Sequence, residues 1–505
     1  MGIIIRQSIK GTLVNYLGIV VGFVTTFFIL THYLTTEEVG LTRVLVDAAV
    51  LFSSFAQIGT ASSIIRFFPY FKDEEGKNHG FFFWTLIVPI FGFLIFLLVL
   101  ALFKQPIVHL FAEKSSLFVR YFRFVIPLSL FMLYQSVFEA NCNVLMRIVV
   151  PKLVREVGVR VGLLIIYLLY GFHCISLDGL VIGFCITYLI AVLVDVIYLF
   201  SLQKISLKPD LKFISKPLVR DFACYSLLLT LTAIASNTPL LSSFFVSAKL
   251  GLGLTGIFAI ANYIATVIEI PNRSLNAIVN PNLAQSIKEN DWTKAQKLCK
   301  NVSLHLLLSS MFIFFIIWIN VDVLFMILSN GDDYEAGKSV IFILGMARLA
   351  NSTFSVSGSA LNFSKYYYMS LVLTVLLTTM VIIFNIVFIP IWGINGSAFA
   401  SFASYFIYYL LMLALVKWKL HISVFSKSQI KVIAIILGLF LINLVWTKSL
   451  TLLIMHLPLK ALYVAIIDAV LRTIVLLALG VAATYYGKIS KEVNDLIERG
   501  WRKVF

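Results

Sequence analysis

The chain has 505 residues, of which 60% are hydrophobic, 14% aromatic and only 13% charged. That composition excludes a water-soluble globule. The net charge of +16 would fit a nucleic-acid partner, but the basic residues are spread between apolar runs, and that distribution argues against one.

Apolar runs recur along the chain, each long enough to cross a hydrocarbon core of roughly 30 Å. In chain order they predict fourteen spans, at 8–31, 39–68, 80–103, 117–146, 152–172, 175–200, 219–248, 252–280, 301–320, 336–362, 366–391, 394–416, 429–448 and 460–487. Arg6 and Lys10 open the first run, but no short apolar stretch with a small-residue cleavage site follows, so this helix is expected to stay in the membrane. Met1-Gly2 does not read as a myristoylation start, because position 6 is Arg. The runs 117–146 and 219–248 exceed a simple span and contain Pro127 and Pro239, and Pro271 interrupts the eighth; tilt or kinks are expected there. No connection is long enough for a separate soluble domain. The five cysteines, Cys142, Cys174, Cys185, Cys224 and Cys299, lack zinc or redox spacing and read as small apolar packers. No nucleotide-binding Gly-Lys-Ser/Thr loop and no nucleophile elbow is found, so neither an enzyme nor a bound cofactor or metal is expected. Energy then comes from an ion, voltage or substrate gradient, unless a separate subunit supplies it.

Counting cations at span edges with the adjoining loops, and placing the N-terminus inside, the cytoplasmic segments hold 26 of the 40 Lys and Arg and the outer loops 8. This positive-inside pattern puts both termini in the cytoplasm. The most basic loop carries Lys204, Lys208, Lys212, Lys216 and Arg220. The tail, with Lys488, Lys491, Arg499, Arg502 and Lys503, reads either as a short amphipathic segment on an anionic leaflet or as a solvated orienting cluster.

The chain also repeats itself. Gly40, at the start of the second span, has a counterpart in Gly256, 216 residues on; Gly179 and Tyr188 answer Gly396 and Tyr405 at an offset of 217. A constant period over six spans predicts two parallel six-helix lobes, related by an axis along the membrane normal. The expected division is an N-lobe at 1–200, a basic linker at 201–218, a C-lobe at 219–416, two extra spans at 417–487 and a tail at 488–505. The expected fold is an all-α integral membrane protein of about fourteen transmembrane helices.

The remaining six cations lie in span interiors, and all six are arginine: Arg43, Arg66, Arg160, Arg273, Arg348 and Arg472. Each costs about 2.5–3.5 kcal/mol at a span centre on insertion scales, so each needs a partner or a watery cavity. Arginine grips phosphate through a planar two-donor fork, which points to a phosphorylated or otherwise anionic substrate. The alternative is that arginine is simply the easier cation to satisfy with carbonyls and carboxylates. Glu156 and Arg160, Glu269 and Arg273, and Asp468 and Arg472 lie four apart and can pair along a helix; Arg43 and Asp47 do so in the weaker order. Arg66 and Arg348 have no acid at helical-neighbour spacing. Arg348, Arg66, Arg273 (next to the break at Pro271) and Arg43 are therefore the candidate anion ligands, with snorkelling a competitor for Arg66. Glu139 and Asp195 lack a cation at helical-neighbour spacing and, with Asp47 and Glu269, are candidate ion-coupling carboxylates; a buried protonated or cross-helix-paired acid is the competing reading. Glycine pairs such as Gly158/Gly162 and Gly179/Gly183 permit close helix approach, and Tyr366-Tyr367-Tyr368 fits an aromatic anchor at an interface.

Val39-Gly40-Leu41, Gln57-Ile58-Gly59 followed by Ile65-Arg66-Phe67, Gly256-Ile257-Phe258-Ala259, and Ile389-Pro390-Ile391-Trp392-Gly393-Ile394-Asn395-Gly396-Ser397-Ala398 carry a family likeness. Together with two six-helix lobes and two extra helices, they resemble the polysaccharide-exporting branch of the multidrug/oligosaccharidyl-lipid/polysaccharide (MOP) exporter superfamily, the Wzx-type flippases. The resemblance implies a bacterial inner-membrane transporter with a cavity between lobes, working by alternating access. The implied substrate is a polyprenyl-diphosphate-linked oligosaccharide, its diphosphate held by cavity cations and its lipid by a groove along the last two helices. Membrane lipid and other polysaccharide-assembly proteins are the further expected partners. The alternatives are an ion-coupled drug or cation antiporter of the same superfamily, against which the two extra spans and the arginines count, and a membrane polymerase or glycosyltransferase, which would need a larger outer loop.

Overall fold

A computed structural model describes residues 2–73, 77–202, 207–210, 213, 215–454, 460–495 and 498. Lys204, Lys212, Arg499, Arg502 and Lys503 lie outside the described residues, and with them half of the expected tail segment. The described residues form helices and no strand. The longer helices are α1 (Gly2–Val24), α2 (Thr36–Ala56), α3 (Thr60–Phe71), α4 (Phe81–Ala112), α5 (Val125–Val144), α6 (Val159–Gly171), α7 (Leu177–Ser201), α8 (Lys216–Ser236), α9 (Thr238–Leu250), α10 (Leu252–Thr266), α11 (Ile270–Lys288), α12 (Trp292–Ile319), α13 (Lys338–Phe363), α14 (Tyr367–Leu420), α15 (Lys427–Ile454) and α16 (Ala461–Tyr486).

Helix starts follow local chemistry. At α2, Thr35 and Glu38 form a reciprocal capping box, with Glu38 N–H donating to Thr35 Oγ1 at 3.3 Å and Thr35 N–H to Glu38 Oε2 at 2.9 Å. Asp291 caps α12 by accepting from Lys294 N–H at 2.9 Å. That bond, with the Thr293 hydroxyl, holds its carboxyl below the ordinary carboxylate range. Within apolar stretches, Ser and Thr hydroxyls bond back to carbonyls one turn earlier, as Thr25 does to Val21 at 2.7 Å and Thr374 to Ser370 at 2.7 Å.

Among the described residues, eleven stretches are long and apolar enough to cross a membrane. The chain is thus a multi-pass membrane protein. The difference from fourteen has identifiable causes. The runs 366–391 and 394–416 form one 54-residue helical stretch, α14, bent at Gly393 (φ 59°, ψ −133°) three residues after Pro390. The run 152–172 is broken into Val149–Leu153, a π-helical turn at Val154–Gly158, and α6. The run 219–248 is split at Asn237 into α8 and α9, with Pro239 in the first turn of α9. Pro271 likewise opens α11, after a 3-10 turn at Val267–Glu269.

By Cα packing the chain divides into two compact units. The first comprises residues 1–259 with 389–394, the second 260–388 with 395–505. In the first, α2 packs on α5 and α9, and α5 on α7. Buried polar contacts lie inside it, including Ser63 to Ser226 at 2.7 Å and Asn237 Nδ2 to Ser54 at 2.7 Å. In the second, α12, α13 and α15 pack together, with Ser310 to Ser352 at 2.6 Å and Gln429 Nε2 donating to Ser303 at 2.9 Å. Cys142 and Cys299 are buried, as expected of packers, whereas Cys174 and Cys224 are exposed.

Candidate functional site

In the first unit the π-helical turn before α6 carries Arg155 and Glu156 into a chain of charges. Arg155 Nη1 donates to Glu139 on α5 at 2.5 Å, and its Nη2 to Glu156 at 3.1 Å. Arg160 Nη2 donates to Glu156 at 3.1 Å, and Nη1 to the Gly18 carbonyl on α1. Two cations thus neutralise two carboxylates. A third carboxylate, Asp195 on α7, is fully buried beside Glu139 and Arg155, and neither of its oxygens has a hydrogen-bond partner. A carboxylate buried without a hydrogen-bond partner is costly, which sets Asp195 apart from the two paired acids. Elsewhere in this unit Arg43 Nε donates to buried Asp47 at 2.9 Å, the i,i+4 pair expected from spacing.

The second unit holds a more extended polar cluster. Arg348, on α13, is 9% exposed; it donates through Nη2 to Asn262 on α10 at 2.9 Å and through Nη1 to Glu269 at 3.2 Å. Glu269 sits in the 3-10 turn ahead of α11 and also accepts from Asn351 Nδ2 at 2.6 Å. Tyr409 on α14 donates to the Asn351 carbonyl oxygen. One turn further along α13, Ser355 Oγ donates to Asn272 Oδ1 at 2.7 Å, and Asn276 Nδ2 donates to the same oxygen at 2.6 Å. Arg348 therefore has the cross-helix acid that its own helix lacks. Glu269 does not pair with Arg273 as spacing predicts, because the 3-10 turn and Pro271 reset the helical phase between them. Asp468 and Arg472, on α16, do approach each other, at 3.7 Å, and Arg472 Nη2 also donates to the Ile319 carbonyl at 2.7 Å.

Two of the candidate arginines stand apart. Arg66 on α3 is exposed and lies over the Tyr225 ring, with Cζ 3.9 Å from the centroid. Arg273 on α11 is exposed. Among the described residues neither forms an ion pair, although both fall within apolar stretches long enough to span. Their forks are available to an anion, whereas those of Arg43 and Arg348 are engaged by carboxylates. The second unit also contains an apolar cavity of about 720 Å³ between α12, α13, α14 and α15, walled by Met311, Leu349, Phe354, Phe402, Phe406 and Ile433.

Residues 4–281, more than half of the chain, match the model of a family described as polysaccharide biosynthesis protein. The chain belongs to that family. A search of curated proteins gives no match. Among solved structures, this polysaccharide biosynthesis protein is similar to the lipid II flippase MurJ in an inward closed conformation, with 14% identity and a TM-score of 0.69 over 94% of this chain and 98% of that one. It is also similar to an inward-facing MATE family multidrug transporter of the MOP superfamily, with 13% identity and a TM-score of 0.63 over 81% and 94%. The multidrug MATE transporter DinF-BH matches at 15% identity and a TM-score of 0.56 over 83% and 95%. At these identities the likeness is one of fold. The family and fold agree with the MOP resemblance read from the sequence.

In this family member the eight candidate residues fall into four pairs of neighbours or like environment. Arg348 and Glu269 meet in one buried cluster, and Arg43 and Asp47 in a separate pair. Glu139 has Arg155 as a partner on another helix, sixteen residues on, which spacing along its own helix does not reveal; Asp195 has none among the described residues. Arg66 and Arg273 remain open. Asn262, Asn351 and Tyr409 escaped the sequence reading, yet a signal was present: Arg348, Asn351, Ser352 and Ser355 form a polar stripe at helical spacing in an otherwise apolar run.

Proposed function

We propose that this protein flips polyprenyl-diphosphate-linked oligosaccharide repeat units from the cytoplasmic to the outer leaflet of the bacterial inner membrane, with both termini cytoplasmic, in the assembly of O-antigen, capsule or exopolysaccharide. The observation that carries the reading is the pair of exposed, acid-free arginines, Arg66 and Arg273, set in apolar stretches of a polysaccharide biosynthesis family member. A diphosphate offers a fork of this kind paired oxygens, and the low-dielectric surroundings strengthen each charge-assisted bond. A fold relative that acts on lipid II, and the apolar cavity in the second unit, support a lipid-linked substrate. Arg348 or Arg43 can take up an anion only in a state in which its own acid, Glu269 or Asp47, releases it. Asp195 is the coupling carboxylate of this scheme, loading and releasing a proton or cation as helices around α7 rearrange. The test is deletion of the locus followed by complementation. Lipid-linked sugar should accumulate on the inner face in the deletion strain, and Arg66→Ala or Arg273→Ala should fail to clear it at normal abundance. Full clearance by a double Arg66→Ala/Arg273→Ala protein would overturn the diphosphate assignment.

One observation favours a second reading, an ion-coupled drug antiporter. Four phenylalanines, Phe354, Phe402, Phe406 and Phe425, line the apolar cavity, as suits a flat hydrophobic cation. Gradient-driven dye efflux from vesicles, with no response to lipid-linked sugar, would favour it over flipping.

A further inference from the structure

A second cavity in the second unit, of about 730 Å³, lies where the turns after α11, α13 and α14 come together. It is polar and basic, unlike the apolar one. Lys288, Lys365, Lys419 and His421 line it, and among the described residues no carboxylate does. Three helix C-termini end there, at Lys288, Phe363 and Leu420, and their carbonyl ends bring about half a negative charge each. Three ammonium groups outweigh those dipoles by roughly one and a half charges, before His421 is counted. The lysines are therefore in excess of what capping the helices requires.

Their neighbours hold them in place without neutralising them. Lys419 is half-buried, with Nζ 3.6 Å from the Trp418 ring centroid and 5.7 Å from that of Tyr366; Lys365 Nζ lies 5.2 Å from the same Tyr366 ring. Tyr366 thus brings two ammonium groups to one wall. Among the described residues none of Lys288, Lys365 and Lys419 forms an ion pair. The two acids in the adjacent turn are occupied elsewhere: Glu289 accepts from Gln285 at 2.8 Å, and Asp291 caps α12. Lysine binds phosphate as a point charge, and the volume lies within the usual range of small-molecule sites.

We propose that this cavity binds a phosphate-bearing anion, the headgroup of an anionic phospholipid or soluble phosphate, as a resident ligand distinct from the flipped substrate. Lys365 and Lys419 are its principal ligands, Lys288 supplies the third charge, and the aromatic rings beside them set the cavity at the depth where lipid headgroups lie. The proposal does not depend on the flippase reading, because it concerns binding and not transport.

The test uses the purified full-length protein in a neutral detergent, titrated separately with phosphatidylglycerol, phosphatidylcholine and inorganic phosphate, and followed by its thermal unfolding midpoint. A ligand of the folded state raises that midpoint. Phosphatidylglycerol should raise it in the wild type and in Lys297→Gln, a control outside the cavity, and phosphatidylcholine should not. Lys365→Gln/Lys419→Gln should abolish the response, Lys365→Gln alone should weaken affinity about tenfold, and Lys365→Arg/Lys419→Arg should retain it. Lys365 lies on an exposed turn, so the single variant serves if the double one does not fold. A response to phosphatidylglycerol alone assigns the site to a lipid headgroup; a response to inorganic phosphate as well, or alone, assigns it to the phosphate group itself. An undiminished response in the Gln variants, or none to either anion in the wild type, would overturn the proposal.

Discussion

Gly40 and Gly256, 216 residues apart, lie against each other in the first unit, each facing the backbone of the other's helix. A Cβ on Gly40 would overlap the Leu252 carbonyl oxygen and lie 3.1 Å from Gly256 N; one on Gly256 would overlap the Thr36 carbonyl oxygen and lie 3.2 Å from Gly40 N. Thr36 and Leu252 are also 216 residues apart, so the contact is reciprocal, as a local two-fold relation requires. Only hydrogen at Cα lets two helix starts meet this closely. Either Gly→Ala change is expected to destabilise the fold by about 1–3 kcal/mol. The double variant should cost less than the sum, because both methyls force the same separation. Thermal unfolding of the four proteins measures this; additive losses would show that the two glycines do not share one contact.

Arg348 and Glu269 make the strongest test of which arginines are structural. Arg348→Ala strands a buried carboxylate, and a loss of about 3–5 kcal/mol is expected, visible as low abundance or a lower melting temperature. Arg348→Gln with Glu269→Gln should recover much of it, since both charges go together. Arg66→Ala and Arg273→Ala, which strand no acid, should melt within about 0.5 kcal/mol of the wild type and fail in transport instead. If a well-folded Arg348→Ala protein transports normally, Arg348 is neither a tie nor a ligand.

Asp195→Asn should leave stability within about 1 kcal/mol of the wild type, because neither carboxylate oxygen has a partner to lose. Transport should then lose its dependence on one imposed gradient. Vesicles carrying separate pH, sodium and voltage gradients check this. Wild-type dependence on all three in Asp195→Asn, and equally in Glu139→Gln, would remove both acids from coupling.

Reporter fusions or cysteine labelling should place both termini and residues 201–220 on the cytoplasmic side and residues 32–38 outside, following the 26-to-8 division of cations. An outer position for one terminus alone would require an odd number of crossings.

The Asp291 cap gives a local pH dependence. Its folded-state carboxyl titrates below the ordinary value, so the cap's contribution is complete above the unfolded pKa and is lost as pH falls through the lowered one. Hydrogen exchange at the first turn of α12 should therefore quicken in acid in the wild type and be fast at every pH in Asp291→Ala.

Much of this was legible in the sequence, and the residues show where legibility stops. Apolar run length gave the membrane class, and spacing of four gave the Arg43–Asp47 and Asp468–Arg472 pairs, each within one regular helix, and the Glu156–Arg160 pair, which closes even though Glu156 sits in the π turn. Spacing failed at Glu269 and Arg273, where the 3-10 turn changes the angle per residue. The partners Glu269 for Arg348 and Arg155 for Glu139 depend on which helices abut, and periodicity along one helix carries no information on its neighbours. The break at Gly393 falls between the runs 366–391 and 394–416; what apolar run length did not show is that the two arms continue as one helical stretch, separated only by the backbone angle of one glycine.

The π-helical turn at Val154–Gly158 carries a consequence for how this protein tolerates insertions and deletions. A π turn is an α-helix with one residue too many. Removing any one of these five residues would let the helix continue without a break, and hydropathy would register almost no change. The two arms would keep their phase, because the turn is what absorbs the extra residue, and only the contacts of the removed residue itself would go. Loss of Val154, Val157 or Gly158 would thus leave the charge chain in place, whereas loss of Arg155 would leave Glu139 as bare as Asp195.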